Sequence, residues 1–579
     1  MTRSEATAIA IQAAADLVFL LAWLAAGIVL AIWNDSAVVL NTDSSAPITQ
    51  LLLLAQGRVA SLQELRLARI PSFFPDLLIL RAGIQGMAGR EAIDGLQAGY
   101  AIVMASLLMG VQGALIGLTT SLSRWRTQLF TVLGTFVLIQ VSPLYREAVG
   151  LTLTPVHHGG NVINTLLALV LLAVIVRSAS TLRSRIAVSA LVALVLVGTL
   201  SNVLMLFTAV APVCIALTLV LLRSSPWSGG GGDRTDHVPN WLRTRGRTIQ
   251  VSLLAAALLG VIAARAFNLQ CTLSLSVFPA SNLLAEYRGS PVVLLATALG
   301  LILLLRAVIS HHRTRQAVVV GVASPDPAQG PVALAVALSA LSPYAYTWFL
   351  PDTPRRYFLS LPFLLLVMIA MLASAATARQ WRGTATASPL AKARRIRSLG
   401  AFMAILCALP IAYAMLKVSS SALAARFQLR YDSGDRVMLE RLASLGHHRG
   451  LSDFWGAHLT VISRGSVEVQ PINKDGEPDL WAHNREAFLV EPSQANEAIL
   501  PARIVDFSFV YLRVDKEEPS LIEAKDVLAA YGPPSGRLGC SKDGSGPCVL
   551  LYGDSSRLRD VLGGKLSTFR NRCRDGNVL

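Results

Sequence analysis

Charge is scarce in this chain. Only 15% of its 579 residues are Asp, Glu, Lys or Arg, while 53% are hydrophobic, and the mean hydropathy is +0.54. Soluble domains carry roughly 25% charged residues, so a large soluble enzyme is excluded and a polytopic membrane protein is left. Cysteine is equally sparse: six residues, scattered, with no CxxC pair and no zinc-ligand spacing. A phosphate loop is missing too. The four glycines between Ser228 and Asp233 precede no GK[ST] and sit in no strand–helix frame, so they read as a flexible linker. No internal repeat is visible, which withdraws direct support from an inverted-repeat transporter. The apolar stretches hold almost no charge near their midpoints, and a proton-coupled transporter would need it there. No small-residue cleavage site clearly follows the first apolar stretch, which is therefore read as a span rather than a cleaved signal.

What is present in abundance is long hydrophobic runs. A span needs about 20 apolar residues, and eleven stretches qualify. They are Ala13–Trp33, Leu96–Thr120, Gln128–Leu144, Val162–Val176, Ile186–Leu200, Val203–Leu222, Ile249–Phe267, Val292–Ile309, Pro331–Leu350, Phe358–Ala376 and Leu399–Leu416. The net charge of +16 would point to nucleic acid in a soluble chain. Here the basic excess lies mostly in short loops between spans, so membrane orientation explains it and no nucleic-acid partner is expected. One set of connections carries Arg124 and Arg126, Arg177 to Arg185, Arg223 to Arg247, Arg306 to Arg315, and Arg379 to Arg397. The intervening short loops hold only Arg146, Arg265, Arg288, Arg355 and Arg356. The first set is then cytoplasmic, with the N-terminus, while the first loop (34–95) and the tail face outward. The cytoplasmic linker is 224–247. The expected fold is a polytopic α-helical membrane protein of about eleven transmembrane helices over 1–418, followed by a C-terminal periplasmic α/β domain over 419–579.

Candidate site residues fall on the outward connections. Asp43 sits in the polar cluster Asn41–Ser45, just after the first span. A single loop Asp is ordinarily a solvated one. Here two interrupted apolar pieces follow, Ile48–Leu67 and Phe73–Ile84, which suit helices lying along a membrane surface. A carboxylate held there could remove a proton from a hydroxyl. Asp76 ends the aromatic turn Pro71–Asp76, which reads either as a surface anchor or as a substrate- or donor-binding carboxylate near Asp43. His157 and His158 lie in Thr154–Asn161 at the mouth of the fourth span. Their imidazoles could bond a sugar hydroxyl or a phosphate, or simply belong to a helix-initiating turn. Arg355, Arg356 and Tyr357 follow Asp352 at the start of the tenth span. Two guanidinium groups at headgroup depth suit a phosphate or diphosphate; anionic lipid or Asp352 are the alternatives. The segment Asn268–Pro291 could close over a site. No metal ligand set is expected, and a divalent ion is not indicated.

In the tail, helices are expected over Asp435–Leu445 and Ser520–Tyr531. Strands are expected within His458–Val469, Ile504–Val514 and Cys548–Tyr552. Cys540 and Cys548 flank a Gly/Pro/Ser turn and read either as a disulfide or as two free thiols.

This layout resembles the GT-C class of integral-membrane glycosyltransferases. The likeness rests on the cytoplasmic N-terminus, the long first outer loop with its early acid Asp43 and surface helices, the span number and the outer tail. The resemblance implies that Asp43 is the catalytic base. It also implies a lipid-linked sugar donor, a glycan, lipid or protein acceptor, surrounding membrane lipids and no cofactor. The class has a second acid in its next outer loop; here that loop holds Glu147, with His157 and His158 in the expected place. The expected function is sugar transfer (hexosyl or pentosyl) from a polyprenyl phosphate at the periplasmic face of a bacterial inner membrane. The alternative is a non-catalytic multispan protein, either a lipid-linked-substrate carrier or an envelope assembly partner.

Overall fold

The structure is a computed structural model. It describes residues 17, 21–31, 42–55, 73–85, 92–120, 122–155, 159–178, 181–223, 240–267, 295–306, 329–349, 360–383, 433–453, 456, 458–479, 485–490, 503–512, 522–540 and 547–574. The chain is mostly helical, with several apolar helices and a small mixed sheet near its end. In order come α1 (Leu21–Ala31), α2 (Thr42–Ala55), a wide helical turn at Phe73–Leu77, α3 (Leu78–Gln85), α4 (Ala92–Thr119), α5 (Arg124–Val141) and α6 (Pro143–Leu153). Next are α7 (Gly159–Arg177), α8 (Thr181–Ser201), a second wide turn at Leu206–Val210, α9 (Ala211–Arg223) and α10 (Asn240–Phe267). Then follow α11 (Leu295–Arg306), α12 (Gln329–Phe349) and α13 (Ser360–Gly383).

The described residues of each expected span before Leu399 lie mostly in these helices; Leu399–Leu416 lies outside the described residues. Among the described residues, four helices are long and apolar enough to cross a membrane, or five if α5 and α6 are one bent span.

The bundle is built around α7, whose Val162, Ile163, Leu166, Leu169 and Leu172 are all buried. It packs against α4, α8 and α12, while α10 lies along α8. The α10 helix shows the two-sided pattern of a lipid-facing element: Leu253, Ala256 and Ala257 are buried, while Leu254, Leu258 and Ile262 are exposed. Lipid tails are as apolar as leucine, so close helix contact in a membrane relies on small residues. A methyl on Gly27 of α1 would overlap the backbone of Ser106 in α4, and one on Gly260 of α10 would meet the Leu196 carbonyl of α8.

In the helical body, one helix was not expected. Residues 145–153 read as part of an outer loop, yet with Pro143 and Leu144 they form α6, bent 113° away from α5. Its start is encoded locally: Ser142 caps it by accepting from the Tyr145 N–H at 3.1 Å, and Pro143 occupies the first turn. Tyr145, Ala148, Val149 and Leu153 then form its buried face.

The tail holds α14 (Ser433–Ser444), β1 (Arg449–Ser452), α15 (Leu459–Ile462), β2 (Glu468–Pro471), β3 (Phe509–Leu512), α16 (Ala524–Tyr531), β4 (Gly536–Leu538), β5 (Cys548–Leu551) and α17 (Ser556–Arg574). The sheet order is β2-β1-β3-β5-β4. Its first three strands are parallel and its last two join antiparallel. The expectation of strand throughout His458–Val469 is corrected: its first half is the helix α15. Arg464 and Gly465 both take positive φ, 53° and 71°, which turns the chain back. The Thr460 hydroxyl then bridges to Val469 across that turn, donating to its carbonyl and accepting from its N–H. Cys540 and Cys548 form a disulfide. The tail is not detached from the bundle, because α15 packs against α2.

Candidate functional site

The described part of the candidate site centres on Asp76. Proline disfavours helical backbone in the residue before it, and Phe74, ahead of Pro75, is extended (φ −126°, ψ 129°). That kink turns the following carboxyl away from solvent and into the bundle. Asp76 is only 2% exposed, so it is no surface anchor. Its Oδ1 accepts from the Tyr100 hydroxyl on α4. The backbone N–H groups of Gly160 and of Asp76 itself also donate to it.

Three helices fasten this turn. The Phe74 N–H donates to Ser201 Oγ at the end of α8 at 2.9 Å. The Phe74 carbonyl accepts from Asn164 Nδ2 on α7 at 3.1 Å. A methyl on Gly160 would overlap Asp76 Oδ2 and Pro75 Cδ, and would sit 3.1 Å from the Phe74 oxygen. Glycine is thus demanded there by close approach. The turn lies outside the spans, and burial pushes the Asp76 carboxyl from 3.8 up to about 7, opposed by the donated bonds from Tyr100, Asp76 and Gly160.

A second layer of polar side chains lies along α7. Asn161 donates to Thr208 Oγ1 at 3.3 Å, and the hydroxyls of Thr165 and Thr208 are 2.8 Å apart. The side-chain oxygens of Asn161 and Asn164 accept no bond among the described residues. Such polar groups inside an apolar bundle are costly to leave bare and mark places where water or a ligand group can bind.

Of the expected site residues, Asp43 is described by its backbone alone, as the second residue of α2. The helix carrying it packs on α3, and α3 packs on α4 and on the Phe73–Leu77 turn. His157, His158, Arg355, Arg356 and Tyr357, and the whole of Asn268–Pro291, lie outside the described residues. The two histidines directly precede Gly159 and Gly160 in the chain, so the Asp76 contact is two residues from His158. Among the described residues, no three His, Cys, Asp or Glu side chains gather as metal ligands would.

No protein-family model and no curated protein matches the chain. Among solved structures, the chain is similar to the crystal structure of ArnT from Cupriavidus metallidurans bound to undecaprenyl phosphate. The identity is 13%, the alignment covers 92% of this chain and 96% of that chain, and the TM-score is 0.46.

Sequence reasoning joined Asp76 to neither Tyr100 nor Gly160. Tyr100 reads as an ordinary aromatic at a span entrance. The signal available was the pair Gly159-Gly160, since two glycines opening a long apolar helix imply a backbone approached by something else. In the tail, Asp453, just past β1, and His458, just before α15, are buried. The Asp453 carboxyl accepts the Gly456 N–H at 2.9 Å, which closes the turn after the strand.

Proposed function

We propose that the protein is an integral-membrane glycosyltransferase that moves a sugar from a polyprenyl-phosphate donor to a cell-envelope acceptor at the periplasmic face of a bacterial inner membrane. In this reading the acceptor hydroxyl oxygen attacks the anomeric carbon. Its proton goes to the Asp43 carboxylate, and the bond from carbon to phosphate oxygen breaks, with inversion. Arg355, Arg356 and Tyr357 hold the departing lipid phosphate, and His157 or His158 orients donor or acceptor. No cofactor enters the scheme.

The observation that carries this reading is the packing of the first loop. It is a layer built onto the bundle: α2 rests on α3, and the Phe73–Leu77 turn is tied to α4, α7 and α8. An acid at the start of α2 therefore belongs to a firm scaffold, as a base in a lipid-facing cleft must. Two further features favour the assigned sides. Arg124, Arg177, Arg183, Arg223 and Arg306 occupy first or last turns of their helices, in keeping with one basic membrane face. The Cys540–Cys548 bond suits an oxidising compartment for the tail.

The test is mass spectrometry of envelope glycans from cells with the protein, without it, and with Asp43→Ala. Loss of one sugar substituent in both the deletion and the variant, with the variant inserted normally, is expected. A deletion that leaves every glycan unchanged removes the enzymatic reading and favours a carrier or assembly partner.

A further inference from the structure

We infer that Asp76 is a positioning residue, a latch that sets the N-terminal end of α7 against the first loop. The inference rests on the glycosyltransferase reading for its effect on transfer, but not for the latch itself. Four bonds converge on a stretch of three residues. The Tyr100 hydroxyl and the Gly160 N–H reach the Asp76 carboxyl, while Ser201 and Asn164 hold the two sides of the Phe74 peptide. These partners come from α4, α7 and α8, so the turn joins three helices that share no short connection with it.

Shape complements the bonds. Asp76 Oδ2, Pro75 Cδ and the Phe74 oxygen fill the space a side chain at residue 160 would need. The carboxyl is buried and bonded to protein groups, so it acts on substrate only through what it holds. What it holds is the first turn of α7, directly after His157 and His158. A buried hydrogen bond of this kind, once lost, leaves its donors bare in a dry setting, which loosens the local structure more than the rest.

Asparagine can replace the acid without breaking the latch. Its carbonyl oxygen can accept from the Gly160 N–H, and its amide can donate to the Tyr100 oxygen. A latch needs shape and bonds, whereas a group that moves a proton needs the acid itself. The experiment therefore compares Asp76→Asn, Asp76→Ala and wild type as full-length protein in lipid nanodiscs and in cells. Amide hydrogen exchange is followed at 159–164 and in the tail strands, and envelope glycans by mass spectrometry.

Expected is an exchange rate at 159–164 raised about tenfold or more in Asp76→Ala, unchanged in the tail, with product strongly reduced, and both readouts near wild type in Asp76→Asn. An inactive Asp76→Asn with wild-type exchange would overturn the inference by making the proton of Asp76 essential. Unchanged exchange in Asp76→Ala would overturn it as well. If deleting the gene alters no glycan, the transferase reading fails while the exchange data still decide the latch.

Discussion

Asp76 occupies the volume that a side chain on Gly160 would need, although 84 residues separate them in the chain. The contact joins a turn of the first loop to the start of α7, the most buried of the four helices long and apolar enough to cross a membrane among the described residues.

Gly160→Ala tests that fit directly. The added methyl overlaps the carboxylate oxygen and a proline ring carbon, and neither is the loose end of a flexible chain. Overpacking of this kind costs about 1–3 kcal/mol. The expected outcome is a lower unfolding midpoint in detergent, with Gly159→Ala as a comparison at a site where the nearest atoms lie 3.0 Å away or more.

Stability should depend on pH through Asp76. Its carboxyl titrates at about 7 when folded, against an ordinary 3.8, because burial disfavours the anion. Between those values the folded chain holds a proton that the unfolded chain has released. The contribution is therefore complete below about 3.8 and is lost as pH rises through about 7. The gap corresponds to roughly 4 kcal/mol at most. Thermal unfolding between about pH 5 and 8.5 should show declining stability in wild type and a flatter profile in Asp76→Asn.

In the tail, the Tyr511 hydroxyl donates to Asp435 Oδ1 at 2.5 Å, both groups being buried. The bond ties β3 to the first turn of α14. Tyr511→Phe should destabilise the tail by about 1–3 kcal/mol, the penalty for leaving a buried hydrogen-bond partner unsatisfied. Denaturant unfolding followed by tryptophan fluorescence is a suitable readout.

The Cys540–Cys548 bond closes a loop with a sequence separation of 8. Loop-closure entropy for that length predicts about 2.5 kcal/mol of stabilisation. Cys540→Ser/Cys548→Ser should lower the stability of the tail by about that amount, and a reductant should have little further effect on the double variant.

The sequence was most readable where structure follows from local composition. The described parts of the expected spans before Leu399 lie mostly in helices because hydropathy is a property of each stretch by itself. In the tail, α14, β3 and β5 were legible in the same way. The helix α17 was missed, although Leu558, Leu562 and Leu566, all buried, recur at the four-residue spacing of one helical face. The strand β1 was missed for a different reason. Arg-Gly-Leu-Ser has no strand pattern of its own, and it is a strand because β2 and β3 flank it on both sides.

By itself, the sequence determined a membrane-embedded helical body, a charged tail with its own sheet, and the acids and bases available to a site. Only the tertiary structure decided which of them meet. Hydropathy and helix-start signals act over a few residues, so they can be read along the chain. The bonds from Tyr100, Asn164 and Ser201 to the Phe73–Leu77 turn join positions up to 127 residues apart. They exist only because α4, α7 and α8 pack around one another, which no local pattern records.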